Sequence, residues 1–68
     1  MATLTPWMER ALTVLVAEND WLTTREVAVA IRNDYPATAS ILKGLYYRKK
    51  VERGMKNRYV AWKAADAG

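Results

Sequence analysis

The chain has 68 residues, 51% of them apolar and 26% charged, with a net charge of +4 and a pI near 9.7. That is enough for one ordinary globular domain with a small core, and it argues against wholesale disorder. There is no Cys and no His, which excludes disulfide staples, a zinc finger or other N/S metal site, and Ser-His or Cys-His catalysis.

The longest apolar run, Ala11 to Ala17, is interrupted by Thr13 and is far too short to span a membrane. Glu9 stands where an export signal needs a basic flank and an apolar stretch. A reducing, cytoplasmic location is expected. The charge is lopsided. Residues 1–42 hold three bases against five acids, whereas residues 43–68 hold eight bases against two acids. Such one-ended asymmetry suggests a polyanion partner, a solvated basic surface being the alternative reading.

Residues 1–4 read as a frayed end. Thr5-Pro6 marks a helix start, with Thr as cap and Pro at the first helical position. Met8, Ala11, Leu12 and Leu15 follow at the spacing of one helical face, which Trp7 and Val14 widen. The polar cluster Glu18-Asn19-Asp20 ends this first helix. Trp21-Leu22-Thr23 is a short extended segment that needs strands elsewhere to pair with. Thr23-Thr24-Arg25-Glu26 is a capping box. It opens a second helix with Val27, Ala30 and Ile31 inward, closed by Asn33 in a left-handed conformation with Asp34 in the turn. Pro36 begins a third helix, Tyr35 before it being pushed toward an extended conformation. This helix runs to about Arg48. Thr38, Ile41, Leu42, Leu45 and Tyr46 lie on its inner side, and Ala37, Ser40, Lys43, Gly44 and Tyr47 on its outer side.

After Lys50 the pattern alternates. Val51–Met55 and Arg58–Trp62 read as two strands joined at Lys56-Asn57, which pairs Val51 with Trp62 and Arg53 with Val60 and sets Gly54 opposite Tyr59. Val51, Val60 and Trp62 then share an apolar face. The domain is expected over residues 5–63, with residues 64–68 a flexible tail. Trp7, Trp21, Trp62 and Tyr46 are expected in the core.

The order helix, short strand, helix, turn, helix, hairpin resembles the winged helix-turn-helix superfamily of small prokaryotic and viral regulators, an α+β fold of three helices and a small hairpin. The likeness is carried by Thr23-Thr24-Arg25-Glu26-Val27-Ala28 at the start of the second helix and by Thr38, Leu42 and Leu45 as the inward triad of the third. Val51-Glu52-Arg53 and Tyr59-Val60-Ala61-Trp62 carry it in the wing. It covers nearly the whole chain. Lys49 or Lys50 stands where the family usually has Gly, and Asn33 where many relatives have Gly. Leu45-Tyr46 and Trp62 are also similar to the branch that binds left-handed DNA, but Leu42 replaces the Asn on which that specificity depends.

The resemblance implies a double-stranded-DNA-binding protein, a transcriptional regulator of phage, viral or plasmid type, nucleoid-associated in a bacterial or archaeal cell. The third helix would lie in the major groove and present Ala37, Ser40, Lys43, Gly44 and Tyr47. Arg25, Arg48, Lys49, Lys50, Arg53, Lys56, Asn57 and Arg58 would meet phosphate or the minor groove, with the stem of Arg53 buried and its head paired to an acid. No cofactor, metal, membrane or small-molecule substrate is expected, and no enzymatic activity. A homodimer through the first helix, by Trp7 or Val14, is a possible assembly. The competing reading is a protein-interaction module, an adaptor or assembly factor, using the same basic face.

Overall fold

The computed structural model describes residues 4–65. Its elements are α1 (Pro6–Glu18), β1 (Leu22–Thr23), α2 (Thr24–Ile31), α3 (Tyr35–Tyr47), β2 (Val51–Lys56) and β3 (Tyr59–Ala64). The strands form one antiparallel sheet in the order β1-β3-β2.

Local chemistry sets the helix starts. The Met8 amide donates to Thr5 Oγ1 at 3.2 Å, with Pro6 in the first turn of α1. In α2 the capping box is complete: the Glu26 amide donates to Thr23 Oγ1 and the Thr23 amide to Glu26 Oε1. In α3 the cap is Asp34, whose Oδ1 accepts from the Ala37 amide at 2.8 Å. Tyr35 is therefore helical rather than extended, and Pro36 sits one position further in. The Asp34 cap fixes the turn, and a proline in the first turn forfeits no helical hydrogen bond.

The helix ends rely on left-handed residues that are not glycine. Asn19 closes α1, its amide donating to the Leu15 carbonyl. Arg32, at φ 58°, closes α2 in place of Asn33. The Asn33 amide reaches back to the Ala28 carbonyl, which makes Arg32 the left-handed residue of a Schellman motif. Lys49, at φ 60°, does the same after α3, with the Lys50 amide donating to Leu45 O and the Lys49 amide to Tyr46 O.

The core joins Ala11 and Leu15 of α1, Val27 and Ile31 of α2, Leu42 and Leu45 of α3, and Val51 and Trp62 of the sheet. Ala28, not Ala30, joins Val27 and Ile31 on the buried side of α2; Ala30 is exposed. A small change of face follows because α2 is only eight residues long and packs through its first two turns. Leu4 packs on the core rather than fraying, while residues 1–3 lie outside the described residues.

The hairpin turn falls at Asn57-Arg58, both at positive φ (50° and 70°), the geometry of a two-residue primed turn. The register is accordingly Val51 with Ala64, Arg53 with Trp62, Gly54 with Ala61 and Met55 with Val60. Each pairing is two residues from the one expected. A slip of two preserves the faces, so Val51, Val60 and Trp62 still share a side. Lys56 is held in the strand because its ammonium is anchored elsewhere, which moves the turn one residue on. The extra length also draws Ala64 into β3, and the Ala65 amide donates to Lys50 O. Those two residues are ordered against the sheet rather than tail; residues 66–68 lie outside the described residues.

Trp62 is the centre of the assembly. It is 3% exposed, and its indole Nε1–H donates to Thr24 Oγ1 at 2.8 Å. The second Thr of the Thr23-Thr24 pair thus satisfies the buried indole while the first caps the helix. On the opposite face of the sheet, Trp21 lies over Gly54, where an added Cβ would stand 2.9 Å from its ring. Trp7 is 38% exposed with the Arg10 guanidinium 5.0 Å over its ring, and Tyr46 is 43% exposed. These two are not core residues. Trp7 stands in the first turn of α1, at the rim of the packing. Tyr46 places only its ring edge against Trp62, with centroids 6.3 Å apart.

Candidate nucleic-acid interface

The inner side of α3 is fixed by Thr38, Leu42 and Leu45, all fully buried. At 100° per residue the opposite direction belongs to Pro36, Ser40, Lys43 and Tyr47, and all four are exposed. Tyr47 is the most exposed large apolar side chain of the helix at 79%. Between Tyr35 and Val51 there is no acid, so this stripe offers only hydroxyls, one ammonium and an aromatic face.

The two flanks of α3 have different neighbours. One faces α1: Met8 lies directly over Gly44, and a Cβ there would collide with its terminal methyl. Gly44 is therefore a close-packing glycine, half-buried beneath Met8. Ala37 is half-buried on the same flank. Arg48 also turns this way, donating from Nη1 to the Gly44 carbonyl at 3.1 Å. The other flank faces the hairpin. There Tyr46, Tyr47 and Lys49 line a cleft with Val51, Glu52 and Arg53. Ala39 is half-buried on that flank by the same angular count, a position that periodicity alone does not single out.

The bases of the hairpin divide in the same way. Arg53 stands across from Trp62 with its guanidinium 5.9 Å from the ring, a cation–π contact in place of the expected acid. Among the described residues the one ion pair is Lys56–Glu26, at 3.1 Å. Lys56 Nζ also donates to the Trp21 carbonyl at 3.1 Å. This lysine ties the hairpin to the start of α2. Glu26 answers in its ionisation: the backbone N–H of Thr23 first, then Lys56, holds its carboxyl below the usual glutamate value. Asn57 and Arg58 form the exposed tip, Lys49 and Lys50 the exposed link from α3 to β2, and Arg25 the exposed start of α2. The stripe on α3, the tip and the link are exposed, whereas Gly44 lies under Met8, Arg48 bonds back to its own helix and Lys56 bonds the start of α2.

No protein-family model matches the chain, and no curated protein sequence does. Solved structures do match. MepR, a transcription regulator of the Staphylococcus aureus multidrug efflux pump MepA, superposes with a TM-score of 0.84 at 23% identity, over 94% of this chain and 49% of its own. ZitR of Lactococcus lactis, a zinc-responsive MarR family member, gives 0.80 at 24% identity over 96% of this chain and 46% of that one. A point mutant of ZitR in complex with DNA gives 0.80 at 21% identity, over 94% and 44%. The chain has the winged helix-turn-helix fold.

In the terms of that fold, α2 and α3 are the helix-turn-helix and β2–β3 is the wing. The chain spans about half the length of the structures it resembles. Among the described residues no helix is long and apolar enough to cross a membrane, and no group of three metal-ligating side chains comes together.

Proposed function

We propose that this winged helix binds double-stranded DNA and serves a transcriptional regulator, with α3 in the major groove and the wing against the backbone or minor groove. The observation that carries it is the outer face of α3: Ser40, Lys43 and Tyr47 exposed along an acid-free helix that runs into the exposed basic link Lys49-Lys50. Ser40 and Lys43 are the residues assigned to base edges. Tyr47, Arg25, Lys49, Lys50, Arg53 and Arg58 are assigned to the backbone, where contacts position rather than specify. One structure with this fold was solved in complex with DNA, which supports the reading. The role is non-catalytic, in keeping with a sequence that lacks His and Cys. With DNA as partner, a place at the nucleoid follows. A homodimer through α1 would use Trp7, since Val14 is packed on the core.

The test is a titration with duplex DNA at several salt concentrations. If three to five phosphates are neutralised, log K falls against log salt with a slope of about −3 to −5. Ser40→Ala or Lys43→Ala changes the preferred sequence, each lost base contact costing about 1–3 kcal/mol. Arg58→Ala weakens all sequences alike and reduces the slope by about 1. The adaptor reading draws on one feature, the exposed Tyr46 and Tyr47 lining the α3–wing cleft. Absent binding at low salt, or a flat salt dependence, decides for it.

A further inference from the structure

Where the wing tip, the start of α2 and the start of α3 meet, Thr23, Thr24, Arg25, Tyr35, Tyr59 and Val60 line a groove of about 540 Å³. Two of its walls are tyrosines that the core does not use: Tyr35 is 58% exposed and Tyr59 68%. Its threonine hydroxyls are already engaged, Thr23 with the Glu26 amide and Thr24 with the Trp62 indole. The carboxylates nearest in the chain are engaged as well. Glu26 accepts from the Thr23 amide and pairs with Lys56, and Asp34 accepts from the Ala37 amide. Among the described residues the polar side chains of the groove that make no hydrogen bond in the structure are the Arg25 guanidinium and the two phenolic hydroxyls. All three are hydrogen-bond donors, and one carries a full positive charge.

We infer that this groove is a phosphodiester clamp, in which the Tyr35 and Tyr59 hydroxyls and the Arg25 guanidinium grip one backbone phosphate of the bound duplex. The inference rests on the DNA-binding reading, because it is α3 in the major groove that brings a backbone strand past its own first turn and the wing tip. The chemistry fits the occupant. A phosphate oxygen accepts several charge-assisted hydrogen bonds, and donors from three separate elements line this groove. The anchor holding the corner together is the Lys56 ammonium, which ties the wing to Trp21 and Glu26. Arg58 adds charge beside it from the tip, in a left-handed conformation that an arginine adopts only at some cost.

The clamp is tested by duplex binding of Tyr35→Phe, Tyr59→Phe, the double variant and Arg25→Ala, read by fluorescence anisotropy at two salt concentrations on a selected and a random duplex. Each Phe variant keeps the ring and loses only the hydroxyl. Each is expected to weaken binding about three- to tenfold on both duplexes, the scale of one hydrogen bond to a charged group, with the salt slope unchanged. Arg25→Ala weakens both duplexes and reduces the slope by about 1. Melting temperatures close to that of the parent protein show that the fold is intact, as expected at exposed positions. If the parent protein binds duplex and the Phe variants bind equally well, the clamp is overturned and the DNA reading stands. If the Phe variants lose affinity for only one of the duplexes, the tyrosines read bases and the clamp is likewise overturned. If the parent protein binds no duplex at low salt, both fall together.

Discussion

Lys49 offers the most direct test of the local energetics. It holds φ at 60° as the left-handed residue of the Schellman motif that ends α3. A left-handed conformation costs a non-glycine residue roughly 1–2 kcal/mol. Glycine removes that cost but has more freedom to lose on folding, which returns about 0.4–1 kcal/mol. Lys49→Gly should therefore stabilise the domain by about 0.5–1 kcal/mol. For a domain of this size that is a rise of roughly 2–8 °C in melting temperature. The assay is thermal unfolding followed by far-UV circular dichroism.

Charge is the confounding term, because Lys49 lies between Arg48 and Lys50. Lys49→Ala removes the same charge and keeps the strained conformation, so it isolates that term. The reasoning requires the Gly variant to melt above the Ala variant. If the two melt together, or Gly melts lower, the left-handed strain is not what the substitution relieves. Both variants should also lose about one unit of salt slope in duplex binding, since each lacks a cation assigned to phosphate.

Four further outcomes follow from named contacts. Trp62→Ala should cost about 3–5 kcal/mol, close to the whole stability of a small domain, and Trp62→Phe about 1–3 kcal/mol by leaving Thr24 Oγ1 buried without its donor; chemical denaturation measures both. Thr38→Val should stabilise by about 1 kcal/mol, because the Thr38 hydroxyl is fully buried with no hydrogen-bond partner; a less stable variant in the same denaturation series would mean that the hydroxyl is satisfied. Gly54→Ala should destabilise by about 1 kcal/mol, against the usual gain from replacing a strand glycine, because the new Cβ presses on the Trp21 ring; a higher melting temperature would refute the contact. Glu26 has a lowered folded-state pKa, so its contribution is complete above its ordinary value near 4.5 and is lost as pH falls through the folded value; in Glu26→Gln that part of the acid unfolding limb should be missing when stability is followed from neutral to acid pH.

Much of the fold was legible because its signals are local. Thr5-Pro6 and the Thr23–Glu26 box act over three residues, and both caps form where the sequence puts them. Period alone puts Thr38, Leu42 and Leu45 on the inner side of α3, together with Ile41, which is half-buried, and Tyr46, which is exposed. What period could not give was the neighbour on each flank. Gly44 and Ala37 lie on the outer half of the helix by angle, yet Met8 arrives from α1 to cover Gly44, a contact between residues far apart in the chain. Long-range partners decided the other departures as well. Lys56 reads as a free wing cation until Trp21 and Glu26 are placed beside it, and that anchoring is also what moves the turn to Asn57-Arg58. The Thr24–Trp62 hydrogen bond has no sequence signature, since the donor and acceptor are 38 residues apart. The groove between Arg25, Tyr35 and Tyr59 is assembled from three elements and is invisible to any single window.

The distribution of glycine ties the fold to the site. Gly44 and Gly54, the two glycines among the described residues, have no positive φ and serve close approach, one beneath Met8 and one beneath Trp21. The five left-handed positions are filled instead by Asn19, Arg32, Lys49, Asn57 and Arg58. Asparagine tolerates that conformation through its short polar side chain. Arginine and lysine have no such excuse, and glycine in their place would relieve strain in each case. Strained positions concentrate where function needs the residue more than stability needs the relaxed backbone. The three bases stand at the turn between α2 and α3, at the exit of α3 and at the tip of the wing, the corners of the helix-turn-helix and its wing. On the proposed DNA-binding reading, cations are kept at these corners, at a cost in backbone strain, because a polyanion needs their charge there.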